Sequence, residues 1–191
     1  MLLYFYKTFL KQSYMKKFIL IINCPMDSGS STLIRLLMRK LKKTFKVSIN
    51  TNKFFISDYE PGRDRPTVHK ATIAMAKEML EGGYSLIVEG GSLEQDQFNK
   101  NLLADINAGI VVRTINVEAP RELLYDRFKQ RLYKAQLDNK KISVFDDAGF
   151  EERYEAYMEI KEQGESTYDS SKVSYEDMSE SILEFLKLST L

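Results

Sequence analysis

The chain alternates between continuous apolar runs and segments in which apolar residues recur every three or four positions. The first pattern is typical of strands buried on both faces of a parallel sheet, and the second of amphipathic helices. The predicted strands cover residues 17–24, 45–50, 84–91, 109–117 and 166–169. The predicted helices cover residues 33–41, 67–80, 93–106, 121–136 and 149–162, and a last helix starts at Ser174. This alternation predicts an α/β fold with a doubly wound, five-stranded parallel sheet.

Length and composition are those of one globular domain. We divide the 191 residues into an N-terminal extension over 1–16 and a single domain over 17–191. The 28 basic residues almost balance the 27 acidic ones, and aromatic residues do not interleave with the basic run 35–46, so nucleic acid is not an expected partner. No apolar run approaches the roughly 20 residues of a membrane span, so we expect no stable membrane insertion. Cys24 is the single cysteine, which suits a cytoplasmic protein without intrachain disulfides.

The segment after the first strand matches part of the phosphate-loop pattern G-x-x-x-x-G-K-[ST]. Cys24 takes the position of the first glycine, Gly29 that of the second, Ser30 that of the lysine and Ser31 that of the hydroxyl residue. The segment follows a buried strand and opens a helix, which is the context that the pattern requires. We therefore predict a phosphate cradle that consists of Asp27, Ser28, Gly29, Ser30, Ser31 and Thr32.

The chemistry of this loop is only partly intact. Backbone N–H groups at a helix N-terminus attract anions, Gly29 lets the backbone approach phosphate closely, and the Ser31 hydroxyl is a candidate Mg²⁺ ligand. Ser30 is neutral, and loss of one electrostatic contact of this kind costs on the order of 10²–10³ in rate. An ordinary strand–turn–helix with a serine-rich start is the alternative reading of the segment.

With these residues the chain resembles the small P-loop kinases, which include zeta-toxin-like, polynucleotide-kinase-like, nucleoside-kinase-like and shikimate-kinase-like proteins. LIVEGG, residues 86–91, resembles the Walker B strand of that family, and residues 115–131 resemble its fourth strand and lid helix. Residues 150–162 resemble the helix after the lid, and residues 166–186 resemble the last strand, a D-T-S-like turn and the terminal helix. The resemblance implies a P-loop NTPase fold of the small-kinase type, with ATP and Mg²⁺ as cofactors.

The resemblance also implies roles for side chains outside the loop. Glu89 takes the acidic Walker B position and orients Mg²⁺ together with Ser31, or else is hydrogen-bonded within a loop. Arg127 and Arg131 lie one helical turn apart and are either lid arginines that clamp phosphates or solvated helix charges. Asp169 and Ser170 belong to the turn that borders the adenine in the family.

The predicted loop over residues 51–66 departs from the family on the acceptor side. Many members have an acid after the second strand that activates the acceptor hydroxyl, often followed closely by an arginine. Asn52 takes that place here, and an amide is not a base at neutral pH. Asp58 is the candidate replacement, while loop aspartates mostly serve turns. Lys53, Arg63 and Arg65 are candidates for contact with an anionic substrate.

Two functions are consistent with this pattern. The first is an ATP·Mg²⁺-dependent phosphotransferase that acts on a small-molecule or nucleotide-like acceptor, with Asp58, Arg127 and Arg131 as catalytic residues. The second is a catalytically inactive, nucleotide-binding regulator on the same fold, because Ser30 and Asn52 both replace residues that the reaction normally uses. The sequence determines neither the acceptor nor the oligomeric state.

Overall fold

A computed structural model describes residues 16–91, 93–104, 106, 109–138 and 146–190 of the chain. Apart from Lys16, the predicted N-terminal extension therefore lies outside the described residues. The described part contains a single five-stranded sheet with the order β2-β3-β1-β4-β5, and all neighbouring strands are parallel. The strands are β1 Phe18–Asn23, β2 Thr44–Val47, β3 Ser85–Glu89, β4 Val111–Glu118 and β5 Ser166–Asp169. The predicted doubly wound α/β fold is confirmed.

Helices pack on both faces of the sheet, as the continuous apolar strands require. In the described residues they are α1 Ser30–Lys40, α2 Ile49–Asn52, α3 Pro61–Glu81, α4 Leu93–Ala104, α5 Arg121–Leu137, α6 Asp147–Ile160 and α7 Tyr175–Thr190. Short 3₁₀ turns follow α2 at Lys53–Phe55 and α6 at Lys161–Gln163. None of the described helices has both the length and the apolar character of a membrane span.

Alternate side chains of the central strands face two separate apolar cores. Leu20, Ile22 and Ile87 face α1 and α7, whereas Ile21 and Val88 face α3 and α4. Each of these side chains is at most 6% exposed, so the strands are buried on both faces. Their sequences are therefore continuously apolar and do not alternate between apolar and polar residues.

The segment predicted as a long loop is largely helical, which corrects that expectation. Ser48 ends the second strand early, because its hydroxyl accepts a hydrogen bond from the Thr51 amide and caps α2. Helix α3 begins at Pro61, six residues before the predicted start, with proline in the first position where its missing N–H costs nothing. The Asp64 carboxylate accepts from the Glu60 amide at 2.8 Å and stabilises this start. Pro66 lies inside the helix, so proline content alone was a poor indicator of loop here.

The carboxyl ends of β1 and β3 meet at the centre of the sheet. The Gly90 amide donates to the Ile22 carbonyl oxygen at 2.8 Å, and a Cβ on Gly91 would lie 1.8 Å from the carbonyl oxygen of Cys24. The loops that follow these two strands are therefore in direct backbone contact. In an open α/β sheet this is where ligands bind.

Candidate functional site

The predicted phosphate loop connects β1 to the N-terminus of α1. Gly29 precedes the helix with a φ of +90°, a left-handed conformation that favours glycine. The Tyr175 hydroxyl donates to the Ser28 carbonyl oxygen at 3.2 Å, and the Thr32 amide donates to the Gly29 carbonyl oxygen at 2.9 Å, so the loop is held from outside and from within. Ser28 is fully buried, and its hydroxyl has no hydrogen-bond partner among the described residues.

A cavity of about 500 Å³ opens at this loop. Six of the residues predicted for the site line it, namely Asp27, Ser30, Ser31, Lys53, Glu89 and Arg131. The other lining residues are Cys24, Pro25, Met26, Ser48, Asn50, Phe54, Gly90, Gly91, Gln95 and Arg153. The cavity thus brings together the loop after β1, the end of β3, the turn after β2 and three of the later helices, α4, α5 and α6.

Glu89 links the end of β3 to the start of α1. Its Oε1 accepts hydrogen bonds from the hydroxyls of Ser30 and Ser31, each at 3.2 Å. Its Oε2 lies 3.0 Å from Nζ of Lys46 on β2. Glu89 and Ser31 are therefore together, as the resemblance implied, and both present hard oxygen atoms.

This donor set fits Mg²⁺ that arrives with a nucleotide. Mg²⁺ prefers oxygen ligands, and in such sites the protein supplies one or two while phosphates and water supply the rest. The described residues contain no cluster of three or more His, Cys, Asp or Glu side chains able to hold a metal ion, so the fit rests on Ser31 and Glu89 together with a nucleotide.

Arg131 is bound to the phosphate loop itself. Its Nε donates to Oδ1 of Asp27 at 2.8 Å, and its Nη2 donates to Oδ2 at 3.1 Å. The Asp27 side chain is 13% exposed and the Arg131 side chain 34%, so the pair is only partly screened by solvent. Arg131 therefore lines the cavity, with its two-point geometry directed at the Asp27 carboxylate.

Arg127 lies one turn earlier on α5 and connects the loop to the turn after β5. Its Nη1 donates to the Asp27 carbonyl oxygen at 3.3 Å and to the Ser170 hydroxyl at 3.2 Å. The Asp169 carboxylate accepts from the hydroxyl and the amide of Ser171 and pairs with Lys172, which lowers its pKa to about 2. Asp169 is thus engaged in its own turn, while Ser170 faces the arginine.

The acceptor side differs in detail from the sequence-based prediction. The Asn52 amide donates to the hydroxyl of the buried Thr72 at 2.8 Å and does not line the cavity. Asn50 and Lys53 line it instead, and the lysine Nζ donates to the Asn50 Oδ1 at 3.3 Å. The amide at the acceptor end is therefore that of Asn50, two residues before the predicted Asn52.

Asp58, Arg63 and Arg65 are not among the residues that line the cavity. The Asp58 side chain is almost fully exposed, and its carbonyl oxygen accepts from Arg63 Nη2 at 2.6 Å. Arg63 also pairs with Asp64 at 2.7 Å, which lowers the pKa of that carboxyl to about 2. Asp58 lies in the turn before α3 with a φ of 56°, a left-handed conformation that aspartate tolerates.

Two cations near the cavity were missed in the sequence. Arg153 on α6 lines the cavity, and its only sequence signal is that it stands among the acidic residues of FEERYEAYMEIKE. Lys46 was assigned to a basic run, although a lysine inside a strand of a covered sheet already calls for an acidic partner.

Cys24 borders the cavity as a neutral thiol. Burial raises its pKa to about 11, and the thiol donates to the Gly90 carbonyl oxygen at 3.3 Å. A thiol with a raised pKa is a poor nucleophile at neutral pH. Cys24 therefore joins the two loops rather than offering a reactive group.

No family model and no curated protein matches the chain. Solved structures do match. A protein of Chloroflexus aurantiacus described as a candidate kinase is 18% identical, with a TM-score of 0.66 over 88% of this chain and 98% of that one. The Mycobacterium tuberculosis APS kinase is 14% identical, with a TM-score of 0.61 over 90% and 98%. The Deinococcus radiodurans tunicamycin resistance protein is 18% identical, with a TM-score of 0.60 over 90% and 96%. These likenesses confirm the resemblance at the level of the fold: the chain has the fold of the small P-loop kinases.

Proposed function

We propose that this protein is an ATP·Mg²⁺-dependent phosphotransferase that acts on a small, anionic acceptor. One observation carries the proposal: the phosphate loop, the Ser31–Glu89 pair and the side chains of Arg131 and Arg153 border the same cavity. The described structure of the Mycobacterium tuberculosis APS kinase holds AMPPNP and APS, so the same fold accommodates a nucleotide together with an acceptor.

The donor end of the cavity has the groups that a triphosphate needs. The first-turn amides of α1 and the loop of Gly29 present N–H groups to phosphate oxygens. Ser31 and Glu89 would hold Mg²⁺, which would neutralise part of the charge that develops on the phosphates. Arg127 joins the loop to Ser170, and the resemblance to the small P-loop kinases implies that the adenine would lie against that turn.

Transfer itself is mostly a matter of position and charge. The acceptor oxygen bonds to the γ-phosphorus, the bond from that phosphorus to the β-phosphate oxygen breaks, and ADP leaves. The proton of a hydroxyl acceptor passes to water, because the two carboxylates that line the described cavity, Asp27 and Glu89, lie at the phosphate loop and not at the acceptor end. Arg153, and Arg131 once Asp27 releases it, would supply positive charge to the transferred group.

The acceptor end favours a negatively charged molecule with an apolar part. Lys53 and Arg153 border it, and neither an ion pair nor a hydrogen bond joins Arg153 to the other described residues. Phe54 lines the same end with 79% of its surface exposed, and Phe55 beside it is 81% exposed. An exposed aromatic ring that lines a cavity, as Phe54 does, suits a planar or apolar group on the acceptor.

A nucleotide-binding regulator is the second candidate. Ser30 takes the position of the loop lysine, and Asn50 provides an amide where a base would stand. Arg131 is engaged in an ion pair with Asp27. This arrangement is consistent with nucleotide binding without efficient transfer.

The test combines calorimetry with AMPPNP·Mg²⁺ and transfer of labelled γ-phosphoryl groups to a panel of nucleotides, sugar phosphates and their uncharged counterparts. Binding with transfer to charged acceptors supports the phosphotransferase, and binding without any transfer supports the regulator. A protein that binds no AMPPNP contradicts both candidates.

Arg153→Ala provides a focused check within the same assay. We expect a loss of about 10- to 100-fold in transfer because a cation beside the reacting group is removed. Arg39→Ala is the matched control, since Arg39 is exposed on α1 and does not line the cavity. Equal rates for the two variants would contradict the assigned role of Arg153.

A further inference from the structure

Lys46 reaches the phosphate cradle from a neighbouring strand. It lies on β2 opposite Ile87 of β3, on the face that α1 covers, and Glu89 is the next residue of β3 on that face. The lysine side chain extends toward the carboxyl end of the sheet, where its Nζ lies 3.0 Å from Glu89 Oε2. The other oxygen of that carboxylate accepts from Ser30, the residue at the lysine position of the loop.

We propose that Lys46 is the relocated counterpart of the missing P-loop lysine. This inference rests on the proposed function, because it concerns how the cradle accepts a triphosphate. A loop lysine together with Glu89 would leave the base of the cradle without net charge. Ser30, Glu89 and Lys46 give the same balance, with the ammonium moved from the loop to a strand.

Lys46 acts through Glu89 and is a positioning residue. Its ammonium cancels the charge of a carboxylate that would otherwise repel phosphate, and it holds that carboxylate toward Ser30 and Ser31. Lysine suits this role, because it places a compact charge at the end of a flexible stem. The side chains of Lys46 and Glu89 are 31% and 22% exposed, and ion pairs open to solvent contribute little to folding. We therefore expect Lys46 to affect mainly the binding of negatively charged ligands.

The test moves a positive charge from position 46 to position 30 and measures nucleotide binding. We expect Lys46→Met to weaken AMPPNP·Mg²⁺ binding by about tenfold or more, because it removes the positive charge that offsets the Glu89 carboxylate beside the phosphate loop. We expect the binding of uncharged adenosine, measured by ligand-observed NMR, to stay unchanged. Ser30→Lys added to Lys46→Met brings AMPPNP affinity back to within about threefold of the unmodified protein.

Lys40→Met is the matched control. Lys40 is also 31% exposed and also forms an ion pair, with Glu180 at 2.6 Å, but at the other end of α1. Its removal changes net charge equally and leaves AMPPNP affinity unchanged. If Lys46→Met fails to fold by circular dichroism, Lys46→Gln is measured with the same expectation.

Three results would overturn the inference while leaving the proposed function intact. They are unchanged AMPPNP affinity in the Lys46 variants, an equal loss for AMPPNP and adenosine, and no recovery with Ser30→Lys. Absence of AMPPNP binding by the unmodified protein would instead overturn the proposed function, and the inference with it.

Discussion

The guanidinium of Arg131 and the carboxylate of Asp27 form a two-point ion pair across the phosphate loop, with N–O distances of 2.8 and 3.1 Å. The pair ties α5 to the cradle and places a negative charge where phosphate oxygens would bind. Under the proposed function, an incoming triphosphate and Asp27 would compete for one arginine. Arg131 can serve a phosphate group only to the extent that Asp27 releases it.

Asp27→Asn tests this competition. We expect AMPPNP affinity to rise about three- to tenfold, because one negative charge leaves the cradle and Arg131 becomes available. The free energy of unfolding should fall by no more than about 1 kcal/mol, since solvent already screens part of the pair. Asp126→Asn, on the exposed side of α5, is the control for both calorimetry and urea unfolding. Lower AMPPNP affinity in Asp27→Asn would show that the carboxylate supports the cradle instead.

Asn50 lines the cavity, whereas Asn52 is bound to Thr72 outside it, so the two positions can be compared by mutation. Asn50→Asp places a carboxylate at the acceptor end, beside Lys53, where it can accept a proton from a hydroxyl acceptor. We expect turnover of hydroxyl acceptors to rise by about 10² or more, the usual contribution of a positioned base. Asn52→Asp gives no such gain, because this side chain binds Thr72 away from the cavity. A gain in Asn52→Asp but not in Asn50→Asp would reverse the assignment.

Glycine is required at position 29 by the left-handed backbone conformation and by the close approach of the Tyr175 side chain. Gly29→Ala should lower the free energy of unfolding by at least about 1–2 kcal/mol, because its φ of +90° is unfavourable for alanine. A Cβ there would also lie 1.7 Å from the Tyr175 hydroxyl oxygen. Adding Tyr175→Ala should recover only the part due to the clash. Gly62→Ala, at a position with no atom within 4 Å, should be neutral or slightly stabilising in the same urea unfolding assay.

The Cys24 thiol makes stability depend on pH in the alkaline range. Its pKa is raised by burial from 9.0 to about 11, so the folded state holds the proton more tightly than the unfolded state. This contribution to stability is fully present below pH 9.0 and is lost as the pH rises toward 11. Relative to Cys24→Ser, the protein should lose about 1 kcal/mol of unfolding free energy between pH 8 and pH 10. A constant difference between the two proteins over that range would contradict a buried, neutral thiol.

The sequence predicted most of the fold because its signals are local. The continuous apolar run over residues 17–24 and the helical spacing from Leu33 to Leu41 identify β1 and α1 without knowledge of the rest of the chain. The sequence pattern does not predict the start of α3, because the two prolines are typical of a loop. The hydrogen bond from the Glu60 amide to the Asp64 carboxylate, which stabilises this start, is seen only in the structure. Pro61 is favourable at a first helical position, and Pro66 is tolerated within a long helix.

The amino-acid sequence by itself determined the order of the five strands and the six long helices, and it predicted a phosphate loop at Gly29 with Ser30 in the lysine position. Only the tertiary structure decided which side chains meet there. Lys46 and Glu89 are joined by the pairing of β2 with β3, and Asp27 and Arg131 by the packing of α5 against a loop about a hundred positions earlier. Asn50 rather than Asn52 borders the cavity because Thr72 holds the latter. Periodicity and propensity act over a few residues, whereas such contacts depend on strand register and helix packing between distant segments.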